Sequence, residues 1–499
     1  MKKLLSFALS VVMALGLFAG CGEKQTNDNN PGSPGQNNED RTLVVRKSIN
    51  MVSTDYALTT TSEDMAVLWT HVFQGLYGID EAAGDYRKEL AKDVTISEDG
   101  LIYTITLVDA NFQNGDPLKA SDVVFSYNRA MENARFNSVT EMLDKVEALG
   151  DKTVQITLKY PYSPISHTFF SVRICSEREV TEAGDLFGTQ PHKAGTGPYY
   201  IESYDPAGTV VLKANEDFYG GAPAIKTIRL VTISDDSAAV IAFENGEIDF
   251  MTNAPTAEWD ALVEASNGCN TVLQGNNIRV LYINYKSPTN NNVLGNEYVR
   301  KAICYAINKD AINTVAAGGL GNVTTSPDES TFETYPYSVE KAKEMLRLAG
   351  YSDTEIANGI NIGMISTYGS ATGEKAKAAQ VIQSNLREVG LIAEIEVQDS
   401  TVICPRFRAF DYDLGIYGDS GNYDFNNIRQ QVLVDGGYQA LDYSDSSVLD
   451  YEKAKELLQE GVELTDTQER LAVYTELWNM VMDTATIYPF MNMPVCVVW

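Results

Sequence analysis

Leu90-Ala91-Lys92-Asp93-Val94-Thr95-Ile96-Ser97-Glu98-Asp99-Gly100-Leu101 opens a stretch that decides the fold class. It continues through Phe112-Gln113-Asn114-Gly115-Asp116-Pro117-Leu118 to Ala120-Ser121-Asp122-Val123-Val124-Phe125-Ser126. Two alternating segments, Val94–Ile96 and Leu101–Leu107, flank a Ser-Glu-Asp-Gly turn, which predicts a β-hairpin. The Asn/Gly/Asp/Pro run reads as a loop, and a helix over Ala120–Met131 follows, with Ser121 as its cap. Strand, turn, strand, loop and helix in close succession point to mixed α/β.

The same mixture extends outward. Further β-rich runs fall at Leu43–Val45, Val154–Leu158, Val210–Leu212, Ile228–Ile233 and Val280–Tyr285. Helical periodicity falls at Ser237–Asn245, Glu297–Asn308, Val339–Ala349, Lys375–Val389, Val448–Leu464 and Gln468–Thr484. Ser338 caps one of these, and Gly350 and Gly390 close two others. No repeat of fixed period occurs, and the length implies two or three lobes with cores of their own.

The amino terminus has a different character. Lys2 and Lys3 precede an apolar run, Leu4 to Leu15, of signal-peptide length and too short to span a bilayer. Leu17-Phe18-Ala19-Gly20-Cys21 then resembles a lipobox, in which the cysteine carries the lipid; Phe18 departs from the aliphatic residue usual there. Residues 22–42 are polar and nearly free of apolar side chains, so they read as a disordered tether. Composition agrees with a globular body: 44% hydrophobic and 21% charged residues. A net charge of −30 repels phosphate backbones and disfavours nucleic acid. Cys175, Cys269, Cys304, Cys404 and Cys496 are widely spaced with no C-x-x-C pair, which is neither a disulfide framework nor a zinc site; one disulfide among them is possible, and spacing does not choose it.

The opening stretch also resembles the signature of the extracellular solute-binding proteins, family 5, the oligopeptide-, dipeptide- and nickel-binding components of ABC importers. Other blocks recur in that family's order. They are Gly195-Thr196-Gly197-Pro198-Tyr199, Asn215-Glu216-Asp217-Phe218-Tyr219 with Gly221-Ala222-Pro223, and Phe243-Glu244-Asn245-Gly246-Glu247-Ile248-Asp249. Val299-Arg300-Lys301-Ala302 with Ala306-Ile307-Asn308-Lys309 completes the series. The resemblance covers nearly all of Leu43–Trp499. It implies an α/β, two-lobed periplasmic-binding-protein-like clamp, type II in its large form with an extra subdomain. The expected organisation is a lipoprotein signal peptide over residues 1–21 and a tether over 22–42. A first lobe spans 43–285 with an extra subdomain over about 76–190, a second lobe spans 286–484, and 485–499 return to the first. The ligand is enclosed as the lobes close, and the blocks themselves are structural: Gly195 and Gly197 permit backbone positions closed to other residues, and Pro198 fixes a turn.

The resemblance further implies a peptide gripped through its backbone, with a carboxylate on its ammonium and basic groups on its carboxylate. In Phe410-Asp411-Tyr412-Asp413-Leu414-Gly415-Ile416-Tyr417-Gly418-Asp419-Ser420-Gly421-Asn422-Tyr423-Asp424, the family's ammonium-binding Asp matches Asn422. An amide cannot supply that negative partner. Either Asp419 or Asp424 takes the role, or the ligand has no free ammonium there; Tyr423 belongs to the same candidate set. Thr60 and Thr61, ahead of Val72-Phe73-Gln74-Gly75-Leu76, are candidate hydroxyl contacts, the alternative being an N-cap cluster led by Ser62. Arg406 and Arg408 are candidate anion holders, or else ordinary surface charges.

Catalytic readings find little support. Gly418-Asp419-Ser420-Gly421 resembles the surroundings of a chymotrypsin-type serine, but a triad needs a base, and His71, His167 and His192 lack that context. There is no Walker A loop. The expectation is a binding protein without enzymatic activity or cofactor, a monomer that partners ABC permease subunits and meets the membrane only through its lipid. Other ligands for the same fold are a sugar, an opine or a chelated metal, and a peptide-signal receptor is a further reading; a hydrolase is the remote one. Anchoring is directly testable: Cys21→Ser should release the protein to the medium or leave it unprocessed, and a mutant that stays membrane-bound and normally matured contradicts the lipobox reading.

Overall fold

Along Ile102–Leu107 every second side chain is buried, and the same alternation runs along Thr153–Leu158 and Thr209–Ala214. Strands with one covered face follow from it. A computed structural model of the chain describes residues 42–59, 61–80, 85–287, 290–324, 335–420, 428–433 and 441–499. The leader, Cys21, Thr60, Asn422, Tyr423 and Asp424 lie outside the described residues. The chain divides into two units: residues up to Leu273 together with Val495–Trp499, and Gln274–Pro494. The crossings fall inside strands Asn270–Ile283 and Ile487–Val498, not at 285/286 and 484/485 outside them.

The first unit contains two four-stranded sheets. One has the order Thr42–Lys47, Thr227–Thr232, Thr209–Ala214, Tyr199–Tyr204, with the first pair parallel and the rest antiparallel. The other runs Ala91–Ile96, Ile102–Leu107, Thr153–Leu158, Leu143–Ala148, antiparallel throughout. The expected hairpin lies here: Ile96 faces Tyr103, and Gly100 takes a φ of +71° at its turn. Helix Ala120–Met131 begins and ends as read, but Ser121 is an exposed first-turn residue. The cap is Asp122, whose Oδ2 accepts the Lys119 N–H at 3.0 Å.

The motif blocks meet around one side chain, Gln113. Its Nε2 donates to the carbonyls of Val72 at 2.8 Å and Tyr199 at 2.7 Å, and its Oε1 accepts the Gly195 N–H at 3.2 Å. Its own backbone N–H donates to the Gly195 carbonyl at 2.9 Å. Asn215 closes the other side, its N–H donating to Pro198 O at 2.7 Å and its Nδ2 to Gly197 O at 3.3 Å. The glycines are obligatory: a Cβ on Gly195 would sit 1.9 Å from the Val72 carbonyl oxygen, and one on Gly197 2.4 Å from that of His71. Asp249 ties the Phe243–Asp249 block to the first strand by accepting the Val44 N–H at 2.9 Å.

The second unit is a five-stranded sheet in the order Leu391–Gln398, Ile360–Tyr368, Leu414–Ser420, Asn270–Ile283, Ile487–Val498. Helix Glu374–Glu388 links the first two strands and Ser400–Arg408 leads to the third, giving β-α-β-α-β with parallel pairing. The two faces show in the packing. Leu281 and Ile283 join Ala378, Ile382 and Leu386 of one helix, while Val280 and Tyr282 join Ile403 and Phe407 of the other. Arg300 of the Val299–Ala302 block is 2% exposed and donates to the carbonyls of Leu294, Gly295 and Thr484. The helix read over Glu297–Asn308 is present as Glu297–Ala306, and a second helix that the periodicity did not show, Lys309–Ala317, follows it. Asn308 between them caps the second, its Oδ1 accepting the Ala311 N–H at 3.0 Å.

If Gln113 holds the blocks together, Gln113→Leu removes the side-chain partner of the Tyr199 carbonyl and the Gly195 N–H and leaves the Val72 carbonyl only the Gly197 N–H, and should lower the first unit's unfolding free energy by about 2–4 kcal/mol. Gly195→Ala should be worse, whereas Gly115→Ala, strained only by its positive φ, should cost about 1 kcal/mol. Urea unfolding midpoints check this ordering; equal midpoints for Gly195→Ala and Gly115→Ala contradict it.

Candidate functional site

Strand order in the second unit reverses at Ile360–Tyr368: the next strand in the chain lies on one side and Leu414–Ser420 on the other. Open α/β sheets bind ligands at such a switch point, beyond the carboxyl ends of the strands. Here those ends are Tyr368 and Gly418-Asp419-Ser420. The antiparallel neighbour brings Ile278 opposite Asp419 and Arg279 opposite Gly418. Parity matters, because Arg279 shares a face with Leu281 and Ile283, the face covered by helix Glu374–Glu388.

That face is charged at its end. Arg279 Nε and Nη2 lie 3.0 and 2.8 Å from Glu374 Oε1, and Lys375 Nζ lies 2.9 Å from the same oxygen. Burial pushes the Glu374 carboxyl up, but the Arg279 and Lys375 charges prevail and hold it at about 2. Burial likewise pulls the Lys375 ammonium below its usual range, with Glu374 acting against it. Lys375 Nζ also lies 4.4 Å from the Tyr368 ring centroid, and Tyr368 packs on Tyr417 at 5.4 Å. The helix starts at Gly373 with no side-chain cap, so its positive dipole end adds to the two cations. Arg279 and Lys375 thus gather on Glu374 at this corner, with Asp419 on the adjoining strand end. A carboxylate-bearing solute suits it.

The sequence-derived candidates distribute as follows. Asp419 is in strand Leu414–Ser420, one residue beyond Gly418, at this corner. Arg406 is engaged elsewhere: its Nη1 donates to both oxygens of Glu396 at 2.9 Å and its Nε to Asp411 at 3.2 Å. Arg408 ends the helix Ser400–Arg408 and is exposed. In the first unit Thr61, not Ser62, is the N-cap of helix Ser62–Val67, its Oγ1 accepting the Asp64 N–H at 3.1 Å. Asp64 is itself fully buried against Lys47 Nζ at 2.6 Å. Cys175, Cys269, Cys304, Cys404 and Cys496 are all free thiols.

Arg279, Tyr368, Glu374 and Lys375 were not singled out from the sequence. The strand read as starting at Val280 begins earlier, and the helix read from Lys375 starts one residue sooner. Arg279 and Glu374 lay just beyond the ends as read, and Lys375 at the first position read as helical. Gly373-Glu374-Lys375 after a strand was the available signal.

The family profile of bacterial extracellular solute-binding proteins, family 5 (middle region), matches residues 85–440. Glutathione-binding protein GsiB of Escherichia coli is 28% identical over 342 residues, 66% of this chain and 64% of that protein, so the match spans less than two thirds of the relative's length. Among solved structures, NikZ from Campylobacter jejuni in complex with Ni(L-His) superposes with a TM-score of 0.76 at 20% identity, covering 92% of this chain and 94% of that one. The oligopeptide-binding protein AppA from Bacillus subtilis, in complex with a nonapeptide, gives 0.75 at 19% identity, covering 92% and 94%. The structural likeness shows a shared fold, the α/β periplasmic-binding-protein fold that the motif blocks imply, and the profile covers most of the sequence: the chain belongs to the bacterial extracellular solute-binding proteins, family 5.

Proposed function

We propose that the protein is the substrate-binding lipoprotein of an ABC importer. It is held by Cys21 on the extracellular or periplasmic face, captures oligopeptides or dipeptides as a monomer, and delivers them to the permease without transforming them. Family membership supports the transport role. The name of the 28% identical relative supports a small peptide-like solute, glutathione being a tripeptide. Among the described residues no helix is long and apolar enough to cross a membrane, which leaves the lipid as the proposed attachment.

The observation that carries the peptide reading is the pairing of opposite charges at the switch point. Arg279 and Lys375 suit a peptide carboxylate, while Asp419 and Asp424, which flank Asn422 in the sequence, are the candidate acids for its ammonium. A desolvated ammonium requires such an acid. Removing the right one should weaken binding by about 2–5 kcal/mol. Titration calorimetry of wild type, Asp419→Asn and Asp424→Asn with free and N-acetylated dialanine, trialanine and glutathione tests this. Acetylation should remove the same energy from wild type and little more from the responsible mutant. Acetylated peptides binding wild type as tightly as free ones would exclude an ammonium pocket and move a sugar or another non-peptide solute ahead.

A further inference from the structure

A buried guanidinium in the first unit has an unused face. Arg173 belongs to the short strand Arg173–Ile174, paired with Gln74–Gly75, and is 1% exposed. Its Nη1 lies 3.7 Å from Glu89 Oε2, an oxygen that also accepts the Gly75 N–H at 3.2 Å. Its Nε and Nη2 have no hydrogen-bond partner among the described residues. These two nitrogens are neighbours on one edge of the guanidinium, with N–H bonds pointing the same way, the fork that receives a carboxylate side-on. Buried donors left open in this manner call for an acceptor.

The surroundings agree. The Arg173 guanidinium carbon lies 4.1 Å from the Phe170 ring centroid and 5.1 Å from that of Trp69, and the two rings meet edge-on at 5.9 Å. The Trp69 indole N–H is also buried without a partner among the described residues. Trp69, Phe170 and Tyr86, which packs on Phe170 at 5.6 Å, are only half-buried. Burial pulls the Arg173 pKa down to about 10 in spite of Glu89 and the nearby tyrosines, so the charged form is under-compensated where it stands.

We propose that Arg173, Trp69 and Phe170 form a site in the first unit for the carboxylate of a small organic acid. The carboxylate lies on the Nε/Nη2 fork with the indole N–H as a third donor, and the apolar body of the acid lies against Phe170. The site stands on first-unit residues alone and does not depend on the peptide reading. Benzoate and its neutral isostere benzamide are suitable probes. Calorimetry and tryptophan fluorescence on the full-length chain purified in detergent should show benzoate binding about tenfold or more tighter than benzamide. Arg173→Lys keeps the charge but loses the fork, and should weaken benzoate binding about tenfold. Trp69→Phe should weaken it about threefold, as loss of one donor. If Arg173→Lys fails to fold, the benzoate-to-benzamide ratio in wild type and Trp69→Phe decides alone. Equal binding of both probes, binding of neither (water then fills the fork), or mutants that bind benzoate like wild type would overturn the proposal.

Discussion

The side-chain amide of Gln113 is the contact on which the first unit depends. A primary amide offers two donors and a carbonyl acceptor in one plane, and here it serves backbone groups from segments far apart in the chain, Val72, Gly195 and Tyr199. Tyr199 lies at the end of a strand pair and the Val72 carbonyl also accepts the Gly197 N–H, and the Gln113 amide completes the pairing that buried backbone groups require. The glycines at 195 and 197 follow as a consequence, since the carbonyls of His71 and Val72 approach closer than any Cβ tolerates. The sequence blocks therefore describe one knot. Their spacing along the chain is large because the knot ties segments, not neighbours.

In the second unit the corresponding constraint is topological. The chain passes from Ile360–Tyr368 to Leu391–Gln398 on one side and then crosses back to Leu414–Ser420 on the other, which is the switch point where open α/β sheets bind ligands. Alternation along Asn270–Ile283 sorts apolar side chains between the two helical layers and sends Arg279 to the side of Glu374. The ion pair would be of little value on an open surface. Here it sits at a strand end with a second cation, a helix start and Asp419 beside it, so charges of both signs are gathered at one place.

Much of this was legible because burial leaves a periodic trace. The Asp99-Gly100 turn, the helix Ala120–Met131 and the Ser338 cap all follow from local pattern and are found in place. Local pattern stopped short at Asn308: it ends the helix that was read, and only its side chain, capping Lys309–Ala317, shows that a new helix starts there. The charged corner was not legible, because it assembles Arg279, Tyr368, Glu374 and Gly418 from separate elements, and strand order is not written locally. Arg173 was illegible for a related reason. The two-residue strand Arg173–Ile174 is too short to leave a periodic trace, and only the packing of Trp69 and Phe170 reveals the arginine as buried. Candidates taken from the family pattern fared unevenly in turn: Asp419 stands at the switch point, Arg406 is bound up with Glu396 and Asp411, and Asn422, Tyr423, Asp424 and Thr60 fall outside the described residues.

The central claim is that this chain exists to hold a small zwitterionic solute. Native mass spectrometry of the full-length protein, purified without denaturation from cells grown in peptide-containing medium, measures it most directly. The account predicts a mass excess that vanishes on unfolding and releases a small peptide, and a folded state stabilised by about 2.7 kcal/mol when that peptide is restored at a hundredfold excess over its Kd. A folded protein that shows only the bare chain mass, and whose stability no peptide mixture raises, would contradict it.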